Sequence, residues 1–533
     1  MKKLLSVVLT VIMLFAVAAP ALTASAADNY ITVYVGGYGR TLYSNNRPNP
    51  NEKIYDIDAD IGAIVSEVLK PCLEKLALGF LTQDFDAYCD ELYNAMAPLY
   101  DEVRLDKNGE ATDGSGWGGN MLTDYYYVDY SKGLSGGRID FEYDWRLSPI
   151  HNAEILEQFI DRVCREKGVK KVNLLGRCLG GNLVSAYLEN AKNLDKINKV
   201  LMYIPSTAGI STIGAVFTGN IVIDSNAVNN LADYLVGGKQ MIDDPFMQEF
   251  ILAVLEMLNY ASVLGIGTGT IEYIVENVRD NIIPRLVRDT YGSFPSFWAM
   301  CPVDQVDAAV EFCYGTDELK EEYAGTIEKI YAFKEIQLNS DNRIKEVYAS
   351  GIDIMILSKY DTPNLPFSED GSAQSDFMAE TYRSSFGATT AKYGEVLSTS
   401  YINKMSDDAK KFLSPDLKID ASTCLLPEKT WFIKHCEHAD FPECVDKLMN
   451  TFLINDNFTV FSDEAYPQYL DYSYDAETDT GTLTPVTGTD EDAEKPSKNQ
   501  ERYSVFMRFF KAIISFFTKL FSGELNLSFG KGE

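Results

Sequence analysis

The hexapeptide Gly176-Arg177-Cys178-Leu179-Gly180-Gly181 constrains this chain more than any other stretch. It follows a strand-like run, Val172-Asn173-Leu174-Leu175, and precedes a run with helical spacing from Asn182 to Asn193. A strand that turns at once into a helix forces the residue at the bend into a strained conformation, and the residues two before and two after it must be small to avoid the neighbouring strand and helix. Gly176 and Gly180, with Gly181 beyond, meet that need and leave Cys178 where a nucleophile sits. The helix N-terminus behind it stabilises developing negative charge. A structural cysteine in a chance glycine-rich turn is the competing reading; a strand on one side and a helix on the other favour the elbow.

Further strands are expected around it. Ile31-Thr32-Val33-Tyr34-Val35 ends in Gly36-Gly37-Tyr38-Gly39 and reads as a buried strand feeding a tight loop. Arg138 to Tyr143 alternates as a strand, and Lys171 to Leu175, Val200 to Ile204, Ile352 to Leu357 and Thr430 to Ile433 are apolar strands. His151 to Lys167 and Phe441 to Leu453 read as helices, as do residues from about 58 to 100. Strand and helix alternate, so the fold class is α/β, with a mainly parallel central sheet flanked by helices. One domain is expected over about 28–474, with a helical insertion at about 41–125 and a larger helical lid at about 206–350. The lid carries Phe246, Phe250, Ile251, Val254, Leu255 and Leu258 at helical spacing, suited to covering an apolar acyl site or to forming ordinary helical core.

A thiol at the elbow is more acidic than a hydroxyl, and a nearby imidazole lowers its pKa further, so a thiolate can attack an ester carbonyl and form an acyl-thioenzyme. Two backbone donors are needed for the oxyanion: the N–H of Leu179, directly after the nucleophile, and the N–H of Tyr38 in the glycine-rich loop. The base must be a histidine, and the chain has three, His151, His435 and His438. A base of this kind follows the last core strand and precedes a terminal helix, which selects His438, with His435 as runner-up. The orienting acid is expected after the strand ending at Leu357, where Asp361 and Asp376 both qualify. His435, Cys436, His438 and Cys444 fit no zinc-finger spacing, and neither a metal nor an organic cofactor is expected.

The segment Tyr143-Asp144-Trp145-Arg146-Leu147-Ser148-Pro149, followed by a helix and the elbow, resembles the arrangement found in lecithin:cholesterol acyltransferase-like lipases of the α/β-hydrolase superfamily. Val35-Gly36-Gly37-Tyr38-Gly39 looks like that family's oxyanion loop, and Ser293-Phe294-Pro295-Ser296-Phe297-Trp298 looks like its lid-proximal segment. The resemblance implies an α/β-hydrolase fold, a fatty-acyl ester substrate and a water or alcohol acceptor. It moves the acid to Asp376, because Gln374-Ser375-Asp376-Phe377-Met378 is similar to the family's aspartate loop. Cys178 stands where the family has serine, and Gly36 where it has proline; the elbow is also similar to the nucleophile box of polyhydroxyalkanoate synthases.

Outside the core, Met1-Lys2-Lys3, an apolar run to about Ala21 and Thr23-Ala24-Ser25-Ala26-Ala27 make a secretory signal over residues 1–27, so a secreted or surface-associated bacterial protein is expected. The net charge of −31, without a basic patch, argues against a nucleic-acid partner. Nine cysteines in an exported chain leave eight for pairing if Cys178 is free. Residues 475–500 are acidic and poor in large apolar side chains, as in a disordered linker, and 501–533 contain an amphipathic helix at 503–521 suited to a membrane surface, the core or self-association. The function expected is a secreted ester hydrolase or acyltransferase with an acyl-cysteine intermediate. The alternative is a catalytically silent surface protein that binds lipid or a protein partner.

Overall fold

Strands that bury both faces in a parallel sheet read as near-continuous apolar runs, and such runs form the centre of this protein. The computed structural model describes residues 30–38, 97–111, 137–191, 194–222, 278–475 and 480–488, with short pieces between 42 and 128 and between 226 and 230. The main sheet has nine strands. In chain order these are β1 (Ile31–Val35), β2 (Tyr127–Val128), β3 (Arg138–Phe141), β4 (Val172–Arg177), β5 (Ile197–Tyr203), β6 (Asp353–Tyr360), β7 (Thr430–Lys434), β8 (Tyr469–Asp475) and β9 (Thr480–Pro485). Their spatial order is β9-β8-β7-β6-β5-β4-β1-β3-β2. Every pairing from β8 to β3 is parallel; β9 and β2 close the two edges antiparallel. The fold is therefore α/β with a mainly parallel sheet, as the alternation of elements predicts.

Helices pack on this sheet through apolar faces. In α1 (Pro149–Lys167) the Ser148 side chain caps the first turn by accepting from the Ile150 N–H, and Gly168 ends the last turn at φ 67°. Leu156, Phe159, Ile160 and Val163 face the core; burying each stabilises by about 1.5–3 kcal/mol. Helix α2 (Leu179–Asn190) is buried from Leu179 to Leu188 and packs against α1, β4 and the long helix over Ala324–Ala349. Between β5 and β6 the described chain is helical, with α3 (Ser211–Thr218), α4 (Ile283–Asp289), α5 (Val306–Tyr314) and α6 (Ala324–Ala349), and α7 (Glu443–Ile454) follows β7.

Three expectations are corrected. The stretch 475–500, read as a disordered linker, supplies β9, and β7 is not the last strand because β8 pairs parallel with it. An antiparallel edge hairpin is held by its backbone pairing and needs few large apolar residues, so composition hides it. Within 41–125, read as helical, Leu42–Ser44, Lys53–Tyr55 and Ser115–Gly116 form a small antiparallel sheet. The signal segment 1–27, most of the helical run at 58–100, the apolar stripe from Phe246 to Leu258, the rest of the linker beyond 488 and the helix at 503–521 lie outside the described residues. Cys164, Cys178, Cys301, Cys313, Cys424, Cys436 and Cys444 are free thiols.

Candidate active site

The turn from β4 into α2 places Cys178 at φ 52° and ψ −123°, a region that L residues occupy only under constraint. The constraint is steric. A Cβ on Gly180 would lie 2.1 Å from the Val35 carbonyl oxygen at the end of β1, one on Gly181 2.7 Å from Pro205, and one on Gly176 2.7 Å from Val184. The three elbow glycines thus let β1, β4 and α2 converge beneath the sulfur. The Leu179 N–H, at the helix N-terminus, is among the groups that lower the pKa of that thiol.

The other side of the sulfur is formed by the loop after β1. A Cβ on Gly37 would lie 3.0 Å from Cys178 Cβ and 3.6 Å from Sγ, so the loop backbone runs beside the sulfur. Tyr143 and Trp145 hold it there. The Tyr143 hydroxyl donates to the Gly36 carbonyl at 2.6 Å, and the Tyr38 ring meets Trp145 edge-on at 4.7 Å and Phe297 at 5.1 Å. Its hydroxyl lies 3.3 Å from that of Tyr291. Arg146, fully buried, forks onto Asp144 at 2.9 and 2.6 Å and donates to the Val103 carbonyl. The Tyr-Asp-Trp-Arg segment is therefore a brace for the loop that carries Tyr38.

His438 lies in the turn between β7 and α7. Its Nε2 is 3.0 Å from Cys178 Sγ and its Nδ1 is 2.7 Å from Asp376 Oδ2. The backbone repeats the link, with the His438 N–H donating to the Asp376 carbonyl at 2.7 Å. Asp376 is fully buried, and its second oxygen accepts from the N–H groups of Met378 and Ala379 at 3.1 and 2.8 Å. Burial pushes the Asp376 carboxyl up, but His438, Lys359 and these N–H donors outweigh it and hold the pKa below the usual carboxylate value. Burial likewise opposes charge on Cys178 and His438, yet each stabilises the other: the thiol pKa is lowered and the imidazole pKa raised.

The runner-up residues meet each other instead. Asp361 directly follows β6 and His435 directly follows β7, both at positive φ. His435 Nε2 lies 3.3 Å from Asp361 Oδ2 and its Nδ1 2.9 Å from Asp471 on β8, while Asp361 accepts from Lys418 at 2.6 Å. These residues are too close to the strand ends to reach Cys178, and they tie neighbouring strands together. Cys436 and Cys444 pack in an apolar cluster. Among the described residues no group of three or more His, Cys, Asp or Glu is placed to hold a metal ion.

Two cations escaped the sequence reading. Arg177 and Lys359 both donate to carbonyls of the turn that carries His438. The available signal for Lys359 was a lysine inside the otherwise apolar run of β6; for Arg177 it was a long cationic side chain inside the elbow itself.

No protein-family model matches the chain, and no curated protein matches it. Among solved structures the chain overlaps a chain of the Tle4-Tli4 complex at 14% identity, over 35% of its own length and 48% of that chain, with a TM-score of 0.19. It also overlaps an esterase (EaEST) from Exiguobacterium antarcticum at 14% identity, over 37% of its own length and 82% of that chain, with a TM-score of 0.13. The chain thus spans about half the length of the first of these neighbours. Likeness at such scores carries no argument about activity, and the reading of function below rests on the geometry.

Proposed function

We propose that the protein is an ester hydrolase or acyltransferase acting on acyl esters through a covalent acyl-cysteine intermediate. The observation that carries this reading is the continuous chain from Cys178 Sγ to His438 Nε2 at 3.0 Å and from His438 Nδ1 to Asp376 Oδ2 at 2.7 Å, set at a strained elbow.

The chemistry follows from the charges. The Cys178 thiolate attacks the acyl carbon, and the carbonyl electron pair moves onto oxygen, where the N–H groups of Leu179 and Tyr38 stabilise it. As the oxyanion collapses, the ester C–O bond breaks and the His438 imidazolium gives its proton to the departing alkoxide, leaving a thioester on Cys178. Water or an alcohol then loses its proton to His438 as it attacks the thioester. The tetrahedral adduct expels the thiolate, and the acid or the new ester leaves. Asp376 holds the ring in the orientation this requires and stabilises its charge throughout. A silent scaffold has no need of three such residues in contact. The same proposal includes export through residues 1–27 and a surface role for 503–521.

The test is hydrolysis of aryl esters of rising acyl length under reducing conditions. Cys178→Ala is expected to lose at least about 10³-fold in kcat, as removal of a nucleophile does in comparable sites. Iodoacetamide should abolish wild-type turnover, and a quenched reaction should show Cys178 heavier by one acyl group. Turnover indifferent to both the substitution and alkylation removes the reading.

A further inference from the structure

The turn from Glu437 to Asp440 carries His438 and no regular element, and its one internal backbone bond, from the Asp440 N–H to the Glu437 carbonyl at 3.1 Å, leaves the carbonyls of His438, Ala439 and Asp440 to find partners elsewhere. Two cations supply them. Arg177 Nη2 donates to the carbonyls of His438 at 2.9 Å and Ala439 at 2.7 Å. Lys359 Nζ donates to the carbonyls of Glu437 at 2.5 Å and Asp440 at 2.7 Å. Four successive carbonyls are thus held by two side chains, and the Tyr203 hydroxyl adds a further bond to Asp440 at 3.1 Å.

The origin of the two cations makes this more than loop anchoring. Arg177 ends β4 and is bonded through its backbone to the nucleophile; Lys359 lies at the end of β6, the strand from which the loop bearing Asp376 departs. Each flank of the site therefore sends a rigid-strand cation to the turn that carries the ring between them. We propose that Arg177 is a positioning residue that fixes His438 against Cys178, with Lys359 bracing the other end of the same turn.

This inference rests on the reading of Cys178, His438 and Asp376 as a working set. The energetics favour a dedicated role. Lys359 is fully buried, and desolvation opposes its charge and lowers its pKa. A turn held only for stability could be satisfied by solvent at less cost. The groups facing the Lys359 ammonium are Asp376, Asp440, Cys436, Arg177 and the Tyr203 ring; those facing the Arg177 guanidinium are Tyr34, Tyr203, Cys178 and the Phe441 ring. Both Arg177 bonds leave one nitrogen, Nη2, whose two N–H directions the planar guanidinium holds as a fixed fork where an ammonium would rotate, which suits Arg177 to holding two adjacent carbonyls.

The test uses the full chain with Arg177→Lys, Arg177→Met and Lys359→Met, each checked by thermal melting. The first readout is the rate of Cys178 alkylation by iodoacetamide across pH. The second is the low-field proton signal of the His438 Nδ1–H, tractable because the chain has three histidines. Arg177→Lys keeps the charge beside the sulfur and removes the fork. Positioning predicts that it, like Arg177→Met, slows alkylation at neutral pH by about tenfold or more and weakens the low-field signal. Wild-type alkylation in Arg177→Lys, with slowing in Arg177→Met alone, reduces Arg177 to a nearby charge and overturns the proposal, as does wild-type behaviour in both. Lys359→Met is expected to follow the arginine variants, and if it fails to fold the two Arg177 variants decide. Alkylation does not require ester turnover. A wild type without turnover whose variants still differ in alkylation sinks the enzyme reading alone, and a competent wild type with indifferent variants sinks the positioning role alone.

Discussion

At the scale of single residues, the decisive contact is that between Cys178 and His438, each of which favours the other's charged form. A serine site uses its acid to help create a nucleophile during the reaction, and losing that acid can cost about 10⁴-fold. On the proposed reading the imidazole lowers the thiol pKa before substrate arrives, which leaves Asp376 with orienting His438 and sustaining its charge. Asp376→Asn is accordingly expected to lower kcat/KM by roughly 10²-fold, about 2.7 kcal/mol of barrier. The sign of the pH effect follows from the same contacts. The Asp376 charge raises the His438 pKa, so its removal should shift the alkaline limb of the rate profile to lower pH. An unchanged alkaline limb would show that the carboxylate does not govern the ring. All three members of this set are legible in the sequence, because the elbow fixes Cys178, histidine is scarce, and chain order confines the acid. Resemblance was needed to separate Asp376 from Asp361. Arg177 and Lys359 were not legible, since a side chain that bonds to carbonyls leaves no partner residue in the sequence to pair with.

At the scale of elements, Asp361 and His435 at the ends of β6 and β7 are tied to Asp471 of β8 beside the apolar cluster of Tyr360, Phe432 and Tyr469. Burial works against the His435 charge, but the two carboxylates raise its pKa to about 9. Asp361 is held far below the ordinary carboxylate range although burial opposes it, through His435, Lys418 and Lys434. A raised histidine contributes stability that is complete below its unfolded value of roughly 6.5 and is lost as pH rises through the folded value. A depressed aspartate contributes above its unfolded value of roughly 3.9 and loses that contribution as pH falls through the folded one. His435→Gln should therefore lower the melting temperature most between those two unfolded values, with the difference closing above about pH 9. The His435 side chain is 47% exposed, and screening limits the effect to the order of 2 °C. A difference that persists undiminished at pH 10 would assign it to packing. The central strands were legible because burial on two faces demands apolar runs, and α1 because its cap residues and apolar face agree. The hairpin of β8 and β9 was not: Tyr472, Tyr474 and their threonine-rich partners leave much of it exposed, so its pattern resembles that of a linker.

At the scale of the whole molecule, the site exists only when distant parts of the chain are folded together. Cys178 and His438 are 260 residues apart, and Asp376 and His438 are 62 apart. They meet because β4, β5, β6 and β7 lie side by side in parallel, so the loops leaving those strands gather at one edge of the sheet. The lowered thiol pKa is thus a property of the global fold, and the other described thiols provide an internal control. Burial pushes Cys301 and Cys424 up to about 12 and Cys436 to about 11, while Cys164, Cys313 and Cys444 are also raised. An ordinary thiol is only a few per cent thiolate near neutrality, and a raised one less, so limiting iodoacetamide should label Cys178 at least about 30-fold faster than any of these. Peptide mass mapping reads the ratio directly. Cys164 is the demanding comparison, because it is only partly buried; equal labelling of Cys164 and Cys178 in the folded protein would mean that the imidazole does not activate the sulfur. In rising urea the preference for Cys178 should vanish in the same transition as the global fold, since the elbow alone retains no histidine. A preference that survived unfolding would place the source of reactivity in the local sequence around the bend and detach it from the residues that the sheet brings in from afar.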